Sequence, residues 1–457
     1  MKGLFIQTYG CQMNSSDSER MKAVLAPVGY ESVSTPEQAD LILINTCSIR
    51  DKAELKTEHF SAEIKGLKRT QPDLKIGVTG CVAQQEKEKI LEKLPWVDLV
   101  LGPDNIDELP WLIDELAIDK NRKISRAVFD QGDERVWNTE TKILNPGPIA
   151  FVNVMKGCDH FCSYCIVPYT RGREKSRPIA DIVRDVKTLC AQGVREITFL
   201  GQNINTYGKR NDETLHELFH RVHEIEDLKR IRFTTSHPGD LKDELIRCYE
   251  ELPKLSSYFH LPVQSGSNRI LRAMRRFYTK EQYLDRVKAL RQARPDIAFS
   301  TDIIIGFPGE SEEDFLETME LADTVKFDNS YSFIFSPRPG TSAATLKDTL
   351  TEAQKSDRLT RMQNRLRYWS KTMHEQEIGK IKEILIEGPS KKDPSRFTGR
   401  TSQNVPVHFL PQSKIQKGDL INLFIESATL THLKGVDRVA AEALCDPAGV
   451  PNSPIEL

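Results

Sequence analysis

The chain has 457 residues, with 64 basic and 66 acidic side chains and a formal net charge of −2. Hydrophobic residues make up 39% and charged residues 28%, which is typical of a globular protein and excludes a disordered or fibrous one. The longest apolar runs are far shorter than the roughly 18 residues of a membrane-spanning helix, and the N-terminus turns polar too soon for a signal peptide. We therefore expect a cytoplasmic protein of about three domains with no membrane partner.

The first third of the chain alternates short apolar runs with helical patterns, which predicts a doubly wound parallel α/β domain over residues 1–118. Three of these runs end directly at Cys11, Cys47 and Cys81, which we call the strand-end cysteines. Because parallel strands place their carboxyl ends at one edge of a sheet, these thiols are expected to converge, although ordinary buried core thiols are the alternative. The stretch 119–148 is polar and contains NPGP at its end, which predicts a linker over residues 119–143.

Residues 144–375 contain six apolar runs, each followed by a helical stretch, at 151–158, 196–203, 230–238, 258–266, 298–309 and 329–340. Six parallel β-α units without a nucleotide-binding fingerprint predict a partial (β/α)6 TIM-like barrel with its chemistry at the carboxyl ends of the strands. After a basic helix near 351–377, short strand patterns over 376–440 predict a small β-barrel. Residues 441–457 are expected to form an unstructured tail.

A second set of cysteines lies in the sequence GCDHFCSYC, directly after the first predicted barrel strand. These loop cysteines are Cys158, Cys162 and Cys165, and three thiolates at this spacing can hold a four-iron cluster with one iron left open for a substrate or cofactor. A structural zinc site is the alternative. It would need a fourth Cys or His ligand nearby, and only His160, inside the loop itself, is adjacent to these cysteines. Cys190, Cys248 and Cys445 fall outside any ligand pattern and are expected to be inert.

The cysteine loop resembles the signature of radical S-adenosylmethionine (SAM) enzymes, in which the amino acid moiety of SAM completes the fourth iron. With the strand-end cysteines upstream and a small β domain downstream, the chain is similar to the radical SAM methylthiotransferases, which combine a methylthiotransferase domain, a radical SAM core and an RNA-binding TRAM domain. The MiaB type, which acts on isopentenylated adenosine beside the anticodon of tRNA, is the most similar. The matching stretches are QTYGCQMN, NTCSIRDKAE, GCDHFCSYCIVPYTRGRE, LGQNINTYG, TTSHP, HLPVQSGSNRIL and TDIIIGFPGE.

This resemblance implies that the chain converts isopentenyl-adenosine to its 2-methylthio derivative, with one SAM as methyl donor and one as radical source. Each cysteine set would hold one 4Fe-4S cluster, and the cluster on the strand-end cysteines would deliver the sulfur. The implied partners are a tRNA anticodon stem-loop and an electron donor such as flavodoxin or ferredoxin. Three alternatives remain: a sister enzyme acting on threonylcarbamoyl-adenosine in tRNA, one acting on a ribosomal-protein aspartate, and a non-catalytic iron–sulfur RNA-binding module.

Polar residues in the loops after the barrel strands are candidate SAM ligands, because they offer amide and hydroxyl hydrogen bonds: Gln202, Asn203, Ser236 and Gln264. Each of them could instead satisfy its own loop backbone.

Basic segments of the second half are candidate RNA contacts, although a charge run is also typical of a solvated surface. Residues 269–294 carry nine basic and two acidic side chains, and residues 380–438 carry ten and six. The candidate RNA contacts are Arg171, Arg173, Arg275, Arg276, Lys391, Lys392, Arg396, Phe397 and Arg400. Of these, Arg171 and Arg173 could also meet the SAM carboxylate.

One motif match is predicted to be accidental. Residues 216–220 read HELFH, which matches the zinc protease motif, and His223 follows one turn later. The apolar stripe of this helix places the three histidines toward solvent, on the outer ring of the barrel. A charged helix face is therefore expected instead of a metal site.

Overall fold

The computed structural model describes residues 1–48, 51–119, 121–129, 140–412 and 414–437, without the side chains of residues 51–54. The expected tail at 441–457, with Cys445, lies outside the described residues. No helix in the described ranges combines the length and the apolar character that crossing a membrane requires.

The N-terminal domain contains a six-stranded parallel sheet in which the first strand lies between the second and the third. Successive residues of the strand Leu41–Thr46 pack into two different hydrophobic clusters, one on each face, so both faces of the sheet are covered. This arrangement confirms the predicted doubly wound α/β fold. The strands are Lys2–Thr8, Tyr30–Ser32, Leu41–Thr46, Lys75–Gly80, Leu99–Leu101 and Ile124–Arg126, and the α-helices are Gln12–Leu25, Asp51–Ile64, Leu67–Thr70, Cys81–Glu86, Lys89–Lys93 and Leu109–Ile118.

The structure differs from the expected linker at 119–143, because Ile124–Arg126 pairs in parallel with Leu99–Leu101 and forms the last strand of the N-terminal sheet. This strand is three residues long and contains one apolar side chain, so it has no alternating pattern that a sequence could reveal. Backbone pairing with the neighbouring strand creates it.

The central domain is the predicted partial barrel of six parallel strands. They form two three-stranded sheets, joined by a parallel bridge between Ile231 and Leu255. Among the described residues no pairing joins the first barrel strand to the sixth, so the barrel is open on one side. The strands are Ile149–Asn153, Glu196–Leu200, Arg230–Phe233, Tyr258–His260, Ala298–Ile305 and Asn329–Ile334, and the α-helices are Val167–Thr170, Ile179–Ala191, Leu215–His223, Asp243–Glu251, Asn268–Ala273, Lys280–Ala293, Glu312–Val325 and Glu352–Glu375. A short hairpin pairs Met155–Lys156 with Lys175–Ser176.

The C-terminal domain is a closed five-stranded barrel, as predicted. It docks against the amino ends of the central strands, where Arg230 donates a hydrogen bond to the carbonyl oxygen of Arg400 at 3.0 Å and Arg232 donates one to that of Ser402 at 3.1 Å. Both arginines are buried beside Glu196. The small barrel therefore lies at the opposite end of the central strands from the cysteine loop. Its strands are Ile381–Pro389, Phe397–Thr401, Pro406–Phe409, Leu420–Ala428 and Leu433–Asp437.

A buried ion pair should contribute strongly to the stability of the central domain. Arg177 pairs with Asp185 at 2.6 Å, and both side chains are 2% exposed. Replacing Arg177 with Met leaves an unpaired buried carboxylate, so we expect the free energy of unfolding to fall by about 3–5 kcal/mol. The R184M variant is the control, because Arg184 pairs with Asp181 in solvent and should change stability little. Urea denaturation followed by circular dichroism measures both, and equal midpoints would contradict the prediction.

Candidate active site at the strand ends

The strand-end cysteines converge because the strands Lys2–Thr8, Leu41–Thr46 and Lys75–Gly80 are direct neighbours in the sheet. Cys11 caps the helix Gln12–Leu25, and Cys81 begins the helix that follows its own strand. The turns at Gly10 and Gly80 have φ angles of +136° and +89°. A Cβ at Gly10 would overlap the Cβ of Cys47, so glycine at this position permits the close approach of the two cysteine loops.

Two thiols of this set share a hydrogen bond. This bond between Cys11 and Cys47, together with the charge of Arg171, lowers the pKa of Cys11 to about 6 against the effect of burial. Burial raises the pKa of Cys81, and Arg171 opposes that rise. The positive charge of Arg171 therefore favours the thiolate form of Cys11 and Cys81, which is the form that binds a metal centre.

The position of Arg171 contradicts the expected RNA contact. Its side chain is 6% exposed, and its Nε donates a hydrogen bond to the Sγ of Cys81 at 3.3 Å. Its Nη2 pairs with Asp17 at 2.6 Å. Arg171 is therefore buried against the strand-end cysteines, where neither RNA nor solvent reaches its guanidinium group.

The loop cysteines are packed into the mouth of the barrel. The N–H of Cys158 donates to the carbonyl oxygen of Gly172 at 3.1 Å, and that of Cys165 donates to the oxygen of Cys162 at 3.0 Å. Burial and, to a lesser extent, the charge of Cys162 raise the pKa of Cys165 to about 12. Burial likewise raises the pKa of Cys158, to which both other loop cysteines add. Three thiolates that oppose each other in this way need a cationic centre to hold them together.

Arg276 is a second arginine that is buried near cysteines instead of exposed on an RNA-binding surface. It is 6% exposed, with Nη1 3.6 Å from the Sγ of Cys162 and Nη2 donating to the carbonyl oxygen of Pro262 at 3.1 Å. It therefore faces the loop cysteines, and the expected RNA contact is wrong. Its neighbour Arg275 is exposed. Several other basic residues of 269–294 bond to protein groups as well, including Arg269, Arg286, Arg291 and Arg294.

Beside the cysteine loop lies a polar group that the sequence analysis missed. The ring of His160, inside the loop, stacks on that of His237 with centroids 4.2 Å apart. Nε2 of His160 lies 2.6 Å from Oδ2 of Asp240. Asn203 connects them, because its Nδ2 donates to Asp240 at 2.7 Å and its Oδ1 accepts from the N–H of His237 at 3.2 Å. Both ends of this amide form hydrogen bonds within the protein, so Asn203 positions Asp240 and His237, and its expected SAM contact stays a prediction.

The remaining candidate SAM ligands have different environments. Oε1 of Gln202 accepts a hydrogen bond from the N–H of Gly157 at 2.5 Å, which supports the start of the cysteine loop. Gln264 is buried at the end of the fourth barrel strand, with a φ angle of +69°. Ser236 is buried, and its Oγ has no hydrogen-bond partner among the described residues.

Two further buried atoms in the barrel mouth lack partners in the described part of the chain, Nε2 of His237 and Oδ1 of Asn153. The N–H of Gly239 donates to Nδ1 of His237 at 3.2 Å, so the proton of the neutral ring is on Nε2, for which no described residue is an acceptor. Because leaving such groups unpaired costs about 1–3 kcal/mol each, the mouth is suited to a polar ligand. A mouth with such unpaired polar groups fits SAM, which is a polar ligand.

Comparison with known proteins agrees with this geometry. Residues 3–102 match the uncharacterized protein family UPF0004, and residues 152–322 match the radical SAM superfamily. A tRNA-2-methylthio-N(6)-dimethylallyladenosine synthase of Nitrosomonas europaea is 45% identical over 439 residues, covering 94% of this chain and 98% of the relative. One of Saccharophagus degradans is 45% identical over 445 residues, covering 95% and 96%. The chain belongs to this synthase family.

The family expected from the sequence is thus confirmed. Among solved structures, the radical SAM methyltransferase TsrM of Kitasatospora setae, with cobalamin and a [4Fe-4S] cluster bound, superposes with a TM-score of 0.57. It is 14% identical in sequence, and the match covers 75% of this chain and 77% of TsrM. At this identity the similarity supports the fold and says nothing of the reaction.

The candidate RNA contacts of this synthase-family chain fall into two groups. Lys391, Lys392 and Arg396 lie on the turn between the first two strands of the small barrel, away from the residues that dock on the central domain. Phe397 is half-buried against Phe409, and the side chain of Arg400 pairs with Glu387 at 2.6 Å.

Arg173 forms the second group, close to the cysteine loop. It is 57% exposed, lies over the ring of Phe161 and pairs with Asp159 at 2.9 Å.

The HELFH helix is a charged outer face, as predicted. Leu215, Leu218 and Phe219 are buried, whereas His220 is exposed and lies 3.3 Å from Glu251. Among the described residues, the one group of at least three metal-binding side chains with ligand atoms within 4.8 Å is that of His160, His237 and Asp240.

The contrast between Asn203 and Ser236 leads to a stability prediction. The N203A variant removes one of the hydrogen bonds of Asp240, which keeps His160, and leaves the buried N–H of His237 without a partner, so we expect its free energy of unfolding to fall by about 1–3 kcal/mol. The S236A variant removes an unpaired hydroxyl and should be as stable as the unmodified chain. Thermal denaturation without SAM measures both, and an equal loss in the two variants would show that the hydrogen bonds of Asn203 do not matter.

Proposed function

We propose that the chain converts isopentenyl-adenosine beside the anticodon of tRNA to its 2-methylthio derivative, with one SAM as methyl donor and a second as radical source. The observation that carries this proposal is that two separate cysteine sets are neighbours, since Arg171, six residues after the last loop cysteine, donates a hydrogen bond to the strand-end cysteine Cys81. An enzyme that must break an unreactive C–H bond and also insert sulfur needs two such centres side by side.

The loop cysteines fit an iron–sulfur cluster with three protein ligands. Three thiolates on a four-iron cluster leave the fourth iron to a small molecule. The strand-end cysteines fit a second such cluster, because Cys11 and Cys47 share a hydrogen bond and Cys81 contacts Arg171. When bound, the first 4Fe-4S cluster supplies the electron that cleaves SAM, and the second supplies the sulfur.

The residues of the mouth bind and orient SAM. Ser236 Oγ and His237 Nε2 offer hydrogen bonds to its oxygen atoms, and Gln264 lies at the end of the neighbouring strand. Gln202 holds the start of the cysteine loop through Gly157. Arg276 places a buried positive charge beside Cys162, which offsets the negative charge of the thiolates.

The tRNA is bound through its phosphates and its unpaired loop. Lys391, Lys392 and Arg396 pair with phosphates at a distance from the mouth. Arg173 over Phe161 provides a stacking surface next to the cysteine loop, suited to a base that leaves the anticodon stack. The protein works in the cytoplasm, where tRNA is modified, and a carrier such as flavodoxin or ferredoxin supplies its electrons.

Mass spectrometry of tRNA nucleosides tests this function. Cells that lack the gene should accumulate isopentenyl-adenosine without the methylthio group, and the intact gene should restore the modification. Replacing all three loop cysteines or all three strand-end cysteines with Ala should abolish it, and each purified variant should keep about four of roughly eight irons. The C190A/C248A variant is the control, since these buried thiols lie in helices outside both sets.

Methylthiolated isopentenyl-adenosine in cells without the gene would contradict the proposed function. A missing modification on threonylcarbamoyl-adenosine, or on a ribosomal-protein aspartate, would assign the chain to a sister type instead.

RNA binding should depend on the turn of the small barrel. Reversing three charges in K391E/K392E/R396E should weaken binding of an anticodon stem-loop by at least about tenfold, and should lower the slope of log Kd against log salt. Filter binding at several salt concentrations measures both. The R184E variant is a matched control because Arg184 is exposed on an outer helix of the barrel. An unchanged slope in the triple variant would exclude phosphate contacts at this turn.

A further inference from the structure

Arg171 connects the two cysteine sets. It follows Cys165 by six residues, yet its guanidinium group contacts the other set, with Nε donating to Cys81 at 3.3 Å. The helix Val167–Thr170, which precedes it, packs against the helix Cys81–Glu86. The backbone that carries the loop cysteines therefore also places a positive charge beside the strand-end cysteines.

The guanidinium group remains charged although it is buried. A guanidinium group is not deprotonated in proteins, and here it has a carboxylate partner. Asp17 is buried to the same degree and pairs with Nη2 at 2.6 Å. A purely structural ion pair would need Asp17 alone, whereas here the same guanidinium also donates to a cysteine sulfur.

We propose that Arg171 is a positioning residue that sets the charge around the strand-end cysteines, and with it the reduction potential of the cluster on these thiols. This inference rests on the proposed function, which assigns a cluster to them. A buried cation and a hydrogen bond to a ligand sulfur stabilise the reduced, more negative state of a cluster, and so raise its potential. Asp17 has the opposite effect, because its carboxylate pairs with the same guanidinium group and brings a negative charge close to Cys81.

The test uses the full chain in which C158A, C162A and C165A leave the strand-end cysteines as the sole cluster site. The midpoint potential of the reconstituted cluster is measured by a redox titration followed by electron paramagnetic resonance. R171M should shift the midpoint to more negative values, and R171K should shift it less because it keeps the charge. D17N should shift it to more positive values.

The matched control is K156M. Lys156 pairs with Asp104 at 2.9 Å across the same contact between the N-terminal and central domains, and both side chains are buried. If the domain contact were what mattered, K156M would shift the midpoint as R171M does. We expect K156M to leave it unchanged.

Opposite shifts in R171M and D17N, with four irons in each variant, support the proposal. Equal potentials in R171M and the unmodified background, or shifts of the same sign in R171M and D17N, overturn it. If R171M binds no cluster, R171K and D17N decide, and a potential unchanged in both overturns it. A background chain that binds no iron at the strand-end cysteines overturns the proposed function itself, which distinguishes the two failures.

Discussion

The site depends first on the parallel pairing of three neighbouring strands in the N-terminal sheet. Cys11, Cys47 and Cys81 are separated by more than thirty residues in sequence, and pairing of their strands places all three at one edge. Both faces of these strands are buried in hydrophobic clusters, so a shift of one residue in register would exchange the side chains of the two clusters and disrupt the close packing of each. The hydrophobic core therefore determines the positions of the thiols, and no local loop needs to hold them together.

The second constraint is the buried contact between this sheet edge and the barrel mouth. Arg171 with Asp17, and Lys156 with Asp104, form ion pairs across it with all four side chains less than a tenth exposed. Buried ion pairs require accurate geometry, because each partner left alone is costly. They hold the two cysteine sets in one relative position. A reaction in which one centre activates a carbon atom and the other delivers sulfur and a methyl group to it requires such a fixed arrangement.

Sequence was sufficient for the features that have a local pattern. The six barrel strands, the strand-end cysteines and the spacing of the loop cysteines are all visible as runs or spacings. The apolar stripe of the HELFH helix correctly placed His220 in solvent, whereas His216 and His223 are half-buried. Loop side chains have no such pattern. Arg171, Arg276 and Asn203 were expected to meet RNA or SAM, but each is turned inward to partners far away in sequence, Asp17, Pro262 and Asp240. A count of charged residues treats Arg171 and Arg276 as surface residues, because only tertiary contacts distinguish them from Arg173 or Lys391. The strand Ile124–Arg126 was not predicted for the same reason, because only its pairing with Leu99–Leu101 defines it.

The central claim is that one chain activates carbon 2 of the adenine and inserts sulfur there, with the two cysteine sets as neighbours. The most direct measurement uses an anticodon stem-loop whose isopentenyl-adenosine carries deuterium at carbon 2, incubated with the reconstituted protein, SAM and a reductant. The account predicts deuterium in the 5′-deoxyadenosine that is released, together with a methylthio group on the same RNA. Release of 5′-deoxyadenosine without deuterium, with the RNA unchanged, would contradict it.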